Sequence, residues 1–194
     1  MFKIQSFSKK KILLNILSAL CVLVFMIFCL FLYNTINKKI YPTYYKNQVI
    51  QSAKNYHLNA NLIFAFIKVE SDFDKKAVSD AGAVGLMQIL PSTADYIAKK
   101  RKIDEYDLFD EKINIEFGCY YLRYLIDKFE LLDTAICAYN AGEGNVINWL
   151  KNKEYSQDGK VLKTIPFKET REYIKKIHKT FEKYEKLYGN ILDK

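Results

Sequence analysis

Hydrophobic positions divide this chain into one long unbroken run and a series of shorter periodic ones. From Ile12 to Asn37 there is no charged residue, and the stretch is apolar nearly throughout to Tyr33, interrupted by Asn15 and Ser18. A bilayer core needs about 20 apolar residues of helix, so the run predicts a membrane-spanning helix. A cleavable leader would have a shorter apolar region and then a small-x-small site. Here Tyr33-Asn34-Thr35-Ile36-Asn37 follows instead, which favours an uncleaved anchor. Ser18-Ala19-Leu20-Cys21 makes a poor lipoprotein site, because Leu20 is bulky and the apolar run continues past Cys21. Residues 1–37 are therefore read as a cytoplasmic tail and anchor, and residues 38–194 as a separate domain.

Beyond Pro42 the periodicity becomes that of amphipathic helices. Tyr45, Val49, Ala53 and Tyr56 share one face. Asn59 is placed to cap a helix from about Ala60 to Glu70 that is apolar on nearly all sides, which marks it as central and buried. Pro91 suits the first turn of a further helix. Asp107-Leu108-Phe109-Asp110 leads into a long one whose apolar positions are Ile113, Phe117, Tyr120, Tyr121, Tyr124 and Leu125. Leu132 to Tyr139 and Gly144 to Leu150 read as short helices separated by Asn140-Ala141-Gly142, and Phe167 to about Tyr188 as a basic amphipathic one. No strand-like alternation of useful length appears, so the second domain is predicted to be all-α.

Charge narrows the partners. Four lysines and no acid precede residue 34, leaving 26 basic against 22 acidic residues for the remainder. So small a surplus, without a recognition motif, argues against nucleic acid and suits an anionic surface such as a bacterial wall or lipid headgroups. Lysines on both sides of the apolar run give the positive-inside rule only a weak preference for an internal N-terminus. Cys119 and Cys137 fall in apolar helical patterns and read as unpaired core thiols, with Cys21 and Cys29 inside the span. No Cys/His cluster has metal-site spacing, and His57 and His178 stand alone. Trp149 reads as core.

Glu70 is the candidate for chemistry. It ends the apolar run Leu62 to Val69, where a carboxylate beside buried side chains loses solvation and gains proton affinity. The small-residue stretch Asp80-Ala81-Gly82-Ala83-Val84-Gly85 follows. A raised carboxylic acid beside a glycine-bounded polar groove suits protonation of a glycosidic oxygen near neutral pH.

Glu70-Ser71, then Gly82-Ala83-Val84-Gly85-Leu86-Met87-Gln88, then Ala138-Tyr139-Asn140-Ala141-Gly142, and Glu169-Thr170 with Tyr173 occur in that order. Together with Asp107-Leu108-Phe109-Asp110 and Tyr121-Leu122-Arg123-Tyr124-Leu125, they resemble the motifs of the soluble-lytic-transglycosylase catalytic domain, a relative of goose-type lysozyme. The resemblance covers roughly residues 45–188. It implies a lysozyme-like helical domain, no cofactor or metal, and peptidoglycan glycan strands as substrate. It also implies that Glu70 is the single catalytic acid and base. Ser71 and Gln88 would hold the glycan and its acetamido group, and Met87 would form the groove wall. Tyr139 with Asn140 would position acid and substrate from the far side, and Glu169 with Tyr173 would complete the site. The family often has Pro near the start of the catalytic helix, where Ala60 and Asn61 stand here. The expected reaction cleaves the β-1,4 bond between N-acetylmuramic acid and N-acetylglucosamine and leaves a 1,6-anhydro sugar, from a domain outside the cell membrane. A lysozyme-like hydrolase and a non-catalytic glycan-binding scaffold are the alternatives.

Overall fold

The computed structural model of the protein describes residues 2–189, with side chains from residue 10 onward. It divides into two compact units, residues 1–42 and 43–194. The first is a single helix, α1 (Phe2–Ile40), within which Lys10–Ile40 is long and apolar enough to cross a membrane. Leu14, Phe25, Leu30 and Phe31 stand about two-thirds exposed along it, an apolar surface that water covers poorly. The helix continues three residues past the expected boundary at Asn37, and Lys38 and Lys39 occupy its last turn. Cations there oppose the negative end of the helix dipole.

The second unit is built from α2 (Lys46–Tyr56), α3 (Ala60–Glu70), α4 (Pro91–Arg101), α5 (Glu111–Phe129), α6 (Leu132–Ala141), α7 (Glu143–Lys151) and α8 (Lys168–Tyr188). Among the described residues no strand forms. Isolated bridges join Val84 to Val78 and Ile89 and fold the 74–90 segment back on itself. The all-α expectation holds, and the helices fall within a few residues of their predicted places.

α3 is the hub. Asn59 caps it by accepting from the Asn61 amide at 2.8 Å, and every residue from Ala60 to Ile67 is buried. α8 packs along α3, α6 packs on α8, and α5 holds α6 and α2. Phe64 stacks on Tyr184 of α8 with ring centroids 5.6 Å apart, and Asn61 Nδ2 donates to the Gly189 carbonyl at 2.6 Å, closing the far end of the pair. Burying a side chain such as Phe64 or Phe66 contributes about 2–3 kcal/mol.

In α5 the buried side is rotated from the apolar face expected. Asn114, Ile115, Phe117, Gly118, Cys119, Leu122, Leu125 and Phe129 point inward, while Ile113, Tyr120, Tyr121 and Tyr124 stay partly exposed. Tyrosines mislead periodicity here because their rings can line a groove as well as fill a core. Cys119 and Cys137 are buried free thiols, and Trp149 is core, packed edge-on against Phe167 at 4.9 Å.

Candidate active site

The site grows from Phe66, one helical turn before Glu70 on the same face of α3. Its ring meets Tyr139 of α6 edge-on at 4.9 Å and Tyr173 of α8 at 6.4 Å. Both tyrosines are thereby clamped at the end of α3 where the carboxylate emerges. The Tyr173 hydroxyl donates to Glu70 Oε1, and the Tyr139 hydroxyl donates to the Met87 carbonyl at 2.8 Å.

Glu70 is partly buried, and loss of water pushes its pKa up from 4.5 to about 7. The Tyr173 bond opposes that shift by stabilising the charged form, and burial outweighs it. Burial raises the Tyr139 and Tyr173 hydroxyls far above their ordinary range, and the Glu70 charge adds to both, so each remains a neutral donor.

A second feature is the loop between α3 and α4, which Asn114 holds by three bonds. Its Nδ2 donates to the Val84 and Leu108 carbonyls at 2.9 and 2.8 Å, and its Oδ1 accepts from the Met87 amide at 2.8 Å. Nothing in the sequence alone singled it out, because one Asn in an apolar-periodic helix reads as a surface position. Gly85 makes room for it. A Cβ there would strike the Asn114 amide and stand 2.7 Å from the Leu108 carbonyl, and its φ of +79° is left-handed. Gly118 does the same for Met87, whose Cβ would lie 2.7 Å from an added methyl.

The expected residues fall into two groups. Glu70, Tyr139, Tyr173, Gln88 and Asn140 converge. Gln88 and Asn140 line a cavity of about 170 Å³ with Tyr139, Tyr121 and Thr93. Gln88 adopts φ +48° and anchors its Nε2 on the Gly85 and Ala77 carbonyls at 2.9 and 3.2 Å. Ser71 ties the end of α3 to the loop, its Oγ donating to the Leu86 carbonyl at 2.9 Å.

Met87 departs from the groove wall expected of it. Its side chain is fully buried against Gly118 and supports the loop from beneath. Glu169 lies exposed on α8, and it is its neighbour Thr170 that reaches the site, donating to Asn140 Oδ1 at 2.7 Å. A threonine beside a glutamate carries no chemical signal of its own, so the sequence does not mark Thr170 as a site residue. A larger cavity of about 410 Å³ lies between the start of α6 and residues 161–165, but none of the motif residues lines it. Among the described residues no cluster of His, Cys, Asp or Glu could hold a metal ion. His178 pairs with Asp133 at 2.6 Å.

The profile of the transglycosylase SLT domain matches residues 47–162. The chain belongs to the transglycosylase SLT domain family. A soluble lytic murein transglycosylase of Salmonella typhimurium is 34% identical over 143 residues, covering 71% of this chain and 22% of that protein. The membrane-bound lytic murein transglycosylase C of Actinobacillus pleuropneumoniae serotype 5b is 35% identical over 161 residues, 70% of this chain and 44% of the relative. The chain thus spans less than half the length of these relatives. Among solved structures, an inactive mutant of the lytic transglycosylase Slt from Pseudomonas aeruginosa superposes with a TM-score of 0.67 at 34% identity, covering 78% of this chain and 26% of that one. The 70-kDa soluble lytic transglycosylase of Escherichia coli does so with 0.69 at 29%, covering 80% and 26%. The SLT fold accounts for the lysozyme-like helical arrangement around α3.

Proposed function

We propose that the protein is a membrane-anchored lytic transglycosylase acting on peptidoglycan. The observation that carries this reading is a single carboxyl, Glu70, raised to about 7 and bonded by the Tyr173 hydroxyl, with no second carboxylate among the described residues influencing it. A retaining glycosidase uses a partner carboxylate about 5–5.5 Å away, and an inverting one uses a wider pair. Asp72 is drawn to Lys68, Asp74 caps the Lys76 amide at 2.8 Å, and Asp80 is exposed. None is placed to serve.

The substrate then supplies the missing group. Glu70 gives its proton to the glycosidic oxygen as the bond to C1 of N-acetylmuramic acid breaks, and the acetamido oxygen of the same sugar stabilises C1. The carboxylate next takes the proton of the C6 hydroxyl, whose oxygen attacks C1 and closes a 1,6-anhydro ring. A pKa near 7 suits a group that must both donate and accept. Gln88 and Asn140 offer amides to the glycan, Tyr173 orients the acid, and Tyr139 fixes the Met87 carbonyl of the loop. The names of the relatives, soluble and membrane-bound lytic murein transglycosylases, support the same reaction.

Residues 1–37 act in this reading as a short internal tail and a single span, with the domain from residue 38 on the outer side. The exposed apolar surface of α1 supports the span.

Mass spectrometry of purified wall digested by the full chain in detergent tests the proposal. Anhydro-muramic ends are expected, and their loss with Glu70→Gln. Reducing muramic ends would identify a hydrolase, and binding without cleavage a scaffold.

A further inference from the structure

Two cavities meet beside the Tyr139–Asn140 turn. One is the 170 Å³ space at Gln88, and the other, of about 250 Å³, is lined by Ser92, Thr93, Tyr96, Tyr121, Tyr124 and Glu143. Thr93 and Tyr121 line both, so one groove leads from the catalytic turn out over α4 and α5. Tyrosines pave it in succession, with ring centroids 5.5 Å apart from Tyr139 to Tyr121, 6.2 Å from Tyr121 to Tyr124 and 6.1 Å from Tyr124 to Tyr96.

The outer chamber has the chemistry of a cation site. Its rings already hold ammonium groups of the protein: Lys128 Nζ lies 5.5 Å from the Tyr124 ring centre, and Lys100 Nζ lies 5.7 Å from that of Tyr96. Glu143 supplies the carboxylate, receiving Lys128 at 2.6 Å, and Lys128 also donates to the Tyr124 hydroxyl at 3.2 Å. The side chains of that ion pair are about 30% exposed, so an incoming cation can share Glu143 with little further loss of water. Aromatic faces beside a carboxylate attract an ammonium, as the seating of Lys128 against Tyr124 and Glu143 already shows.

We propose that this chamber receives the ammonium of the diamino acid in the peptide stem that wall glycans carry on the lactyl ether of N-acetylmuramic acid. The inference rests on the transglycosylase reading for its substrate, and it makes the peptide-bearing strand the preferred one. Lys100, over the Tyr96 ring, flanks the chamber where a carboxylate of such a stem needs a partner.

Two measurements on the full chain in detergent test it. The first is calorimetric binding of a stem tripeptide, alanyl-glutamyl-diaminopimelate, against its amine-acetylated form. Acetylation and Glu143→Gln are each expected to weaken binding about tenfold, as loss of a desolvated cation contact does. Lys128→Met is expected to bind at least as tightly as the wild type, because it leaves Glu143 to the ligand. Lys175→Met, at an exposed α8 lysine paired with Glu172 and absent from the chamber lining, serves as the control and matches the wild type. Equal binding of the acetylated peptide would overturn the proposal, and so would equal losses in Glu143→Gln and Lys128→Met, which mark a merely structural ion pair.

The second measurement compares cleavage of peptide-bearing glycan with glycan stripped by an amidase. The wild type is expected to favour the former, and Glu143→Gln to reduce that ratio about fivefold or more. A rate that follows glycan length and ignores the peptide would assign the chamber to sugar and overturn the inference. If neither glycan is cut, the enzymatic reading falls, and the tripeptide binding still decides the chamber.

Discussion

The Tyr173 hydroxyl, from the second turn of α8, donates to the Glu70 carboxylate at the end of α3. This bond joins the two helices that pack most extensively in the domain, and it acts on the charged form of the acid alone. Removing it with Tyr173→Phe leaves the ring packed on Phe66 and withdraws the hydroxyl that donates to that oxygen. The Glu70 pKa then rises above about 7. The fall in turnover on the alkaline side is expected to move to higher pH by up to about one unit, with roughly 1 kcal/mol lost in stability. A pH–rate profile checks this, and an unmoved alkaline limb contradicts it.

Glu70 also links stability to pH. Its folded pKa of about 7 lies above the ordinary 4.5, so between these values the folded protein holds a proton that the unfolded chain has released. The stabilisation is complete below pH 4.5 and is lost as pH rises through 7. Allowing for the water that a partly exposed carboxyl retains, the loss amounts to roughly 2 kcal/mol. Glu70→Gln is therefore expected to abolish cleavage while raising the unfolding midpoint at pH 8 and flattening its dependence between pH 5 and 8. Denaturant titrations across that range measure the effect, and a Gln variant less stable than the wild type at pH 8 would refute it.

Much of this arrangement is legible before folding, for a physical reason. α3 is buried all round, so its apolar run and the Asn59 cap announce it, and Glu70 gains its proton affinity from that same run. The residues that the sequence does not mark act through geometry and carry no distinctive chemistry. Asn114 becomes a hub only because Gly85 brings the Leu108 and Val84 carbonyls within its reach. The family resemblance puts Met87 in the groove wall, but Gly118 opens a slot in α5 that draws it inside. Tyr121 and Tyr124 of α5 follow the helical period of a core face and line the groove instead.

The two glycines of the loop should respond differently to the same change. Gly82 and Gly85 share a left-handed φ near +80°, yet a Cβ on Gly82 meets nothing within 4 Å, whereas on Gly85 it collides with the Asn114 amide. Gly82→Ala is expected to cost about 1–2 kcal/mol, the backbone penalty alone. Gly85→Ala adds the steric clash and the disruption of a buried hydrogen-bond hub, for a total of roughly 4 kcal/mol or more. Chemical denaturation separates the two, and similar losses would mean that the Asn114 network carries little energy.

Thr170 and Glu169 divide the last motif between structure and surface. Thr170 is buried and donates to Asn140 Oδ1 at 2.7 Å, which fixes the amide that lines the groove, whereas Glu169 is exposed. Thr170→Val keeps the volume and removes the donor, so Asn140 is free to turn and glycan binding suffers more than the chemical step. A KM raised several-fold with a smaller change in kcat is expected, together with about 1 kcal/mol of lost stability. Thr170→Ser restores the hydroxyl and should recover most of the loss, which separates the hydrogen bond from the packing. Glu169→Gln, which alters no observed contact to the site, is expected to change turnover less than twofold. Steady-state kinetics of the three variants on purified wall glycan decide the matter. A larger effect at Glu169 than at Thr170 would return the role to the glutamate and require α8 to turn its first helical turn toward the groove when substrate binds.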